Sequence, residues 1–233
     1  AAIVLLGLFA ARQLKLEHPV LNVRPMASVR FWPACLLVVV SMMTTFSMSV
    51  LLPLYFEGAY GMTALVAGLL ILPAIACNAV TSIVGGRVMD ARGAWPLLPV
   101  GFALIAVGQT VISMTAASMN IGVVVALTVV VYAGVGLVLS PSQTAGLETL
   151  PAAEHPHGTA LLNTWNMIAA SFGPSLFIGL LSSSAATAGA AGVATDVAQA
   201  IGFAVAVRVA AVIAVVGFVV SVVYARRESH MSH

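Results

Sequence analysis

The protein has 233 residues, of which 61% are hydrophobic and only 7% are charged, and its mean hydropathy is +1.10. Because a soluble domain carries about a quarter charged residues, this composition excludes a soluble globule and indicates an integral membrane protein. The formal net charge of +2 says little about partners, and we predict no nucleic-acid partner.

The first eleven residues, AAIVLLGLFAA, are apolar up to Arg12. As a helix they would be about 16 Å long, roughly half of the hydrocarbon thickness of a bilayer. They have no basic start and no small-residue cleavage site, so they do not indicate a signal peptide. We therefore expect residues 1–11 to be the end of a truncated transmembrane helix in a fragment of a longer chain. Residues 12–30 are expected to form a cytoplasmic linker.

Six further stretches are long enough to span a bilayer, which takes about 20 mostly apolar residues. The predicted spans are residues 31–56, 64–86, 97–116, 121–140, 158–182 and 200–225. Residues 58–86 and 93–147 contain no Asp, Glu, Lys or Arg at all. The predicted fold is all-α, with a six-helix transmembrane bundle over residues 31–225 and a tail at residues 226–233.

Basic residues in short connections mark the cytoplasmic side of a membrane protein. Outside the spans they are Arg12, Lys15, Arg24, Arg30, Arg87, Arg92, Arg226 and Arg227. With alternating spans all of them fall on one side, so we place the linker and the C-terminal tail in the cytoplasm. Arg208 lies inside the last span, and two interpretations remain open. Its guanidinium snorkels to the outer interface, or it faces a cavity.

Larger polar side chains on the spans are candidates for lining a substrate cavity. They are Asn78, Gln109, Tyr132, Asn163 and Asn166, joined by Arg208 if it faces inward. Such groups need partners or water when they leave the aqueous phase. An interhelical hydrogen bond would also satisfy each of them, so packing remains the alternative. Asn163 and Asn166 are the best candidates, because both lie on one face of the predicted helix.

The sequence contains no pattern typical of an enzyme. It has no Gly-rich phosphate loop, no H-E-x-x-H motif and no acid–base pair within a span. His155 with His157, and His230 with His233, have no Cys nearby and no obvious third ligand. We therefore predict no catalytic site, no metal site and no cofactor.

A short charged stretch, GGRVMDARGAWP at residues 85–96, separates two uncharged runs. Its residues Gly86, Arg87, Asp90, Arg92 and Gly93 resemble a cytoplasmic loop signature of the major facilitator superfamily. In that family the signature lies between the second and third helices of each six-helix half. We expect Asp90 in the loop shortly before the next helix, whose dipole would favour a carboxylate. The resemblance implies a latch that holds the cytoplasmic helix ends in one conformation, and a solvated turn is the alternative.

Further stretches resemble one branch of that superfamily, the fourteen-helix drug/proton antiporters. They include PVLNV at 19–23, LPLY at 52–55, AGLLILP at 67–73, PSQTA at 141–145 and HGTA at 157–160. One departure is that Trp165-Asn166-Met167 replaces an Arg-Gln pair that often follows Asn-Thr in the branch. No role of that Arg is carried over to this chain.

The resemblance implies the C-terminal half of a major facilitator fold in a proton-coupled transporter of the cell membrane. Such a transporter would export small hydrophobic or amphipathic compounds by alternating access, with the proton gradient as energy source and no cofactor. Its partners would be the substrate, the lipid bilayer and a missing N-terminal half that carries the coupling carboxylates. Two alternatives remain: a major facilitator exporter of another substrate class, such as a metabolite, or a non-transporting membrane scaffold or sensor.

Overall fold

The computed structural model describes residues 26 and 28 and residues 31–94, 96–118 and 120–229. The described residues form six α-helices: α1 Phe31–Tyr60, α2 Ala64–Arg92, α3 Leu97–Thr115, α4 Ile121–Glu148, α5 His155–Ala190 and α6 Thr195–Ser229. Each is long and apolar enough to span a bilayer. This confirms the predicted all-α membrane fold. The helix predicted at 1–11, nearly all of the linker at 12–30 and residues 230–233 of the tail lie outside the described residues.

Several helices extend beyond the predicted spans. The helix α4 continues past residue 140 to Glu148, and α5 begins at His155, so little remains of the connection predicted at 141–157. Pro141 lies buried inside α4. Proline removes only one backbone donor, and helices in membranes tolerate it where neighbouring groups restore the lost contacts.

The outer connection predicted at 183–199 is also shorter. The helix α5 continues to Ala190, and α6 begins at Thr195 and ends at Ser229. The segment after residue 182 is polar but rich in Ala, the residue with the highest helix propensity. Helix propensity therefore carries these elements past the ends of their apolar stretches.

The charged segment predicted as a loop is mostly helical. Residues 86 to 92 form the last turns of α2, and of the five motif residues only Gly93 lies beyond the helix. The φ angle of Gly93 is 76°, and its N–H donates to the Met89 carbonyl oxygen at 2.8 Å, which closes the helix. The prediction that Asp90 lies in a loop before the next helix is therefore wrong. Its carboxylate is at the C-terminal end of α2, where the helix dipole favours Arg92 and disfavours Asp90.

The helix α4 lies between α2 and α3 and packs closely against both, while α6 packs against α1, α3 and α5. The helix α1 completes the bundle through contacts with α4 and α5. By contrast, α2 makes most of its contacts with α4 alone. The helices α2 and α5 have the smallest buried fractions of the six described helices.

Two glycines on α4 allow its close contacts with both neighbours. A Cβ atom on Gly134 would lie 2.6 Å from the Gly101 carbonyl oxygen on α3. A Cβ atom on Gly136 would lie 2.7 Å from the Asn78 carbonyl oxygen on α2. Because lipid supplies no hydrophobic driving force between helices, close backbone contact of this kind stabilises their association.

We expect Gly136→Ala to destabilise the full-length protein, because the new methyl group would push α2 away from α4. Overpacking of this kind costs about 1–3 kcal/mol, and thermal unfolding in detergent should show a lower midpoint. Gly68→Ala on α2 is the matched control, since no atom lies within 4 Å of a Cβ at that position. Equal midpoints for the two variants would contradict the packing described here.

Candidate substrate-facing surface

The exposed faces of α5 and α6 differ in chemistry. On α6 the exposed large side chains are Val212, Val215, Val216, Val219 and Val223, a composition suited to lipid. On α5 the exposed face includes Asn163, Thr164, Ser171 and Ser175 beside apolar residues. Lipid tails cannot satisfy the exposed amide of Asn163. The α5 face is therefore suited to contact with protein or with a water-filled cavity.

An open groove with a volume of about 470 Å³ lies on this face of α5. It is lined by Thr164, Met167, Ile168, Ser171, Phe172 and Ser175. The apolar members are well exposed, with Met167 at 66% and Phe172 at 61% of their full surface. We call these six residues the α5 groove. A flexible Met beside an aromatic ring offers an adaptable surface to apolar groups.

The three hydroxyl groups of the α5 groove are bonded to their own helix. The Thr164 hydroxyl donates to the Ala160 carbonyl oxygen at 2.8 Å, and the Ser171 hydroxyl donates to the Met167 carbonyl oxygen at 2.9 Å. The Ser175 hydroxyl donates to the Ser171 carbonyl oxygen at 3.2 Å. With their protons used in this way, the hydroxyl oxygens can still accept hydrogen bonds. The groove thus combines apolar area with a few acceptors.

The two asparagines predicted on α5 lie outside this groove. Asn163 is exposed beside it, whereas Asn166 is buried, and its Oδ1 has no hydrogen-bond partner in the described part of the chain. Between them, the half-buried Trp165 donates its Nε1–H to the Met26 sulfur at 3.3 Å. The pair predicted to act together therefore does not share one exposed surface.

Asn78 and Tyr132 meet at the contact between α2 and α4. The Asn78 side-chain amide donates to the Tyr132 carbonyl oxygen at 3.0 Å, and the Tyr132 side chain is buried. This is an interhelical hydrogen bond, the alternative considered for Asn78. It joins the helices at the level where Gly136 brings them close.

Gln109 and Arg208 occupy opposite environments. Gln109 is fully buried on α3, and neither its amide nitrogen nor its oxygen bonds to any residue that the structure describes. Arg208 is exposed on the same side of α6 as Val212. This outward position favours snorkelling of the guanidinium to the interface over a place in a cavity.

Sequence reasoning missed most of the α5 groove, because it weighed Asn and Gln above Ser and Thr. A signal was nevertheless present. Thr164, Ser171 and Ser175 recur at a spacing of seven and four residues, which places them on one face of a helix. A hydroxyl stripe of this kind is unusual on a face that meets lipid.

The comparisons with known proteins agree with this architecture. Residues 4–174 match the family model of the Major Facilitator Superfamily. The chain belongs to this superfamily. Membership confirms the family predicted from the charged motif and makes the protein a multi-pass protein of the cell membrane.

Several relatives of this major facilitator chain are drug-resistance proteins. Lincomycin resistance protein LmrB of Listeria monocytogenes is 32% identical over 179 residues, which cover 77% of this chain and 38% of the relative. Lincomycin resistance protein LmrB of Bacillus subtilis is 31% identical over 181 residues, with the same two coverages. The uncharacterized MFS-type transporter YcnB of Bacillus subtilis is 32% identical over 191 residues, covering 82% of this chain and 40% of the relative. The chain thus spans about two fifths of the length of these relatives, whose names describe resistance proteins and transporters rather than enzymes.

Proposed function

We propose that the whole protein exports small amphipathic drugs, and that lincomycin is the first compound to test. The observation that carries this proposal is the α5 groove, an open surface that is apolar with a few acceptors. Binding sites for drug-sized molecules are mostly apolar, with a small number of placed polar groups. The lincomycin-resistance names of the relatives supply the choice of compound.

The proposed mechanism is alternating access between two halves of the transporter. The described chain would form the C-terminal half, and the α5 groove would face the cavity between it and an N-terminal half. Substrate would bind near the middle of the membrane and be exposed to each side in turn. Asn163 lies beside the groove and stays a candidate for contact with substrate, as does Asn166 if its unpaired oxygen becomes accessible.

The proposed energy source is the proton gradient, without any cofactor. The acidic residues of the described spans lie near helix ends, as with Glu57 near the end of α1 and Glu148 at the end of α4. Coupling carboxylates are therefore proposed to lie in the N-terminal half. The proposed orientation places the C-terminus in the cytoplasm, following the distribution of basic residues.

The end of α2 is proposed to act as the latch that the motif implies. Asp90 is exposed at the C-terminal end of α2. Its carboxylate is thus available to a partner on another helix end. The dipole of α2 disfavours the negative charge of Asp90 at this end of the helix. A positively charged or hydrogen-bonding partner that is near only in one conformation of the transporter would therefore stabilise that conformation.

Transport and its coupling can be tested in inverted membrane vesicles that contain the full-length protein. We expect lincomycin to accumulate when a proton gradient is imposed, and a protonophore should abolish this accumulation. Accumulation that survives the protonophore would contradict proton coupling. If neither lincomycin nor a panel of amphipathic drugs moves, an exporter of another substrate class or a non-transporting scaffold becomes the better explanation.

The α5 groove predicts a specific loss in the variant Phe172→Ala. Removal of the ring takes away apolar contact worth about 1–2 kcal/mol, so transport of lincomycin below saturation should fall roughly tenfold. Val216→Ala on the exposed face of α6 serves as the control and should transport normally at equal abundance. Equal activity of the two variants would argue against the groove as part of the substrate path.

The latch predicts that Asp90→Asn lowers the transport rate while the amount of protein in the membrane stays the same. The exposed Glu148 at the cytoplasmic end of α4 provides a matched control, Glu148→Gln, which should keep normal transport. Rates and abundance can be measured in the same vesicles. Wild-type rates for Asp90→Asn would identify the segment as a solvated helix end.

A further inference from the structure

Where α6 packs against both α1 and α3, the bundle holds a layer of buried polar side chains. Thr44 and Ser47 on α1, and Gln109 and Ser113 on α3, are each at most 4% exposed. They are separate from the α5 groove. Their environment is the interior of the bundle, so each polar atom needs a partner within it.

Two tight contacts close this layer at its ends. At the cytoplasmic end, a Cβ atom on Gly217 would lie 2.8 Å from both the Val40 and the Phe102 side chains, so the three helices touch here. At the outer end, the Tyr55 ring stacks on Phe203 with a centroid distance of 4.2 Å. The Tyr55 hydroxyl also donates to the Ala116 carbonyl oxygen of the turn after α3, at 2.9 Å.

The helical repeat places the polar side chains at one level between these contacts. Ser47 follows Val40 by seven residues, Gln109 follows Phe102 by seven, and Ala210 precedes Gly217 by seven. Seven residues are almost two full turns, or about 10 Å along each helix. Ser47, Gln109 and Ala210 therefore point into the same contact at the same height. Thr44 lies one turn below on the same face of α1.

Hydrogen bonds within each helix leave this layer incompletely satisfied. The Ser47 hydroxyl donates to the Thr44 carbonyl oxygen at 2.8 Å, and the Ser113 hydroxyl donates to the Thr110 carbonyl oxygen at 2.7 Å. In contrast, the Thr44 hydroxyl and both polar atoms of the Gln109 amide have no partner among the residues described.

The third helix of the contact supplies no polar side chain at this level. The residues of α6 that share the face of Gly217 here are Ala206, Ala210 and Ala214, and all three are buried. Their methyl groups offer no hydrogen-bonding atom to the amide of Gln109. An unpaired amide in a nonpolar interior is costly, and no described side chain, including those of α4, bonds to the Gln109 amide.

We propose that a water molecule is bound inside the bundle between Gln109 and Thr44. The Gln109 amide can both donate to it and accept from it, the Thr44 hydroxyl offers a second partner, and the Ser47 oxygen can accept a third bond. A buried water makes two to four such bonds. We call this site the α1–α3–α6 water site. Its water would connect α1 to α3 by hydrogen bonds at a level where α6 presents only alanine methyl groups.

Radiolytic hydroxyl-radical footprinting of the full-length protein tests this site directly. Met48 is fully buried next to Ser47, and radicals formed from a bound water should oxidise it in the wild type. In Gln109→Leu the water loses its main partner, and oxidation of Met48 should fall at least threefold. The exposed Met167 should be oxidised equally in both proteins. Absence of oxidation at Met48 in the wild type, or unchanged oxidation in Gln109→Leu, would overturn the proposal.

The variant Thr44→Val gives the second measurement and keeps the shape of the side chain. It should lower Met48 oxidation in the same way, which covers the case in which Gln109→Leu fails to fold. If both variants fold, their effects on the thermal midpoint should be less than additive in the double variant, because one shared water is lost only once. If the midpoint change of the double variant equals the sum of the two single changes, the two residues do not share a water. Midpoint changes that are less than additive, but with no oxidation of Met48 in the wild type, would also overturn the proposal.

Discussion

The bundle depends on the close contact of α4 with its two neighbours in a solvent that cannot drive helices together. Lipid tails are as apolar as the side chains they surround, so helix association relies on van der Waals contact and on hydrogen bonds between helices. Gly134 and Gly136 face opposite neighbours and let the backbones of α3 and α2 approach that of α4. The bond from Asn78 to the Tyr132 carbonyl oxygen lies in the same contact. With α4 placed in this way, the remaining helices have defined surfaces on which to pack.

The same solvent makes the chemistry of an exposed face informative. The exposed valines of α6 from Val212 to Val223 are what a bilayer selects, because their side chains contain no group that needs a partner. The face of α5 presents hydroxyl groups among Met167, Ile168 and Phe172, and it leaves more of its surface uncovered. The two helices are similar in length, but α5 is the least hydrophobic of the six described spans and α6 is the most hydrophobic. This asymmetry is the basis of our proposal that the substrate path runs along α5 rather than along α6.

Polar groups inside the bundle fall into two kinds. Most Ser and Thr hydroxyls bond to a carbonyl oxygen one turn earlier in their own helix, as in the bond from Ser41 to Leu37. They add polarity without requiring another helix. Amides cannot satisfy themselves in this way, so Asn78 crosses to α4, whereas Gln109 and Asn166 keep unpaired atoms in the described structure. The amides therefore mark the places where another helix, a water molecule or a ligand is required.

The sequence by itself determined the number of spans, the helical class and the family motif. Each depends on local composition: about 20 apolar residues must form a helix in lipid, and a charge pattern can be read along the chain. It misplaced the ends of helices, including the residues around Asp90 and Pro141, because propensity and packing extend a helix beyond its apolar stretch. Only the tertiary structure decided which polar residues face one another. It separated Asn163 from Asn166, paired Asn78 with α4 and brought Thr44 near the level of Gln109, because these relations depend on how helices rotate and pack against distant partners.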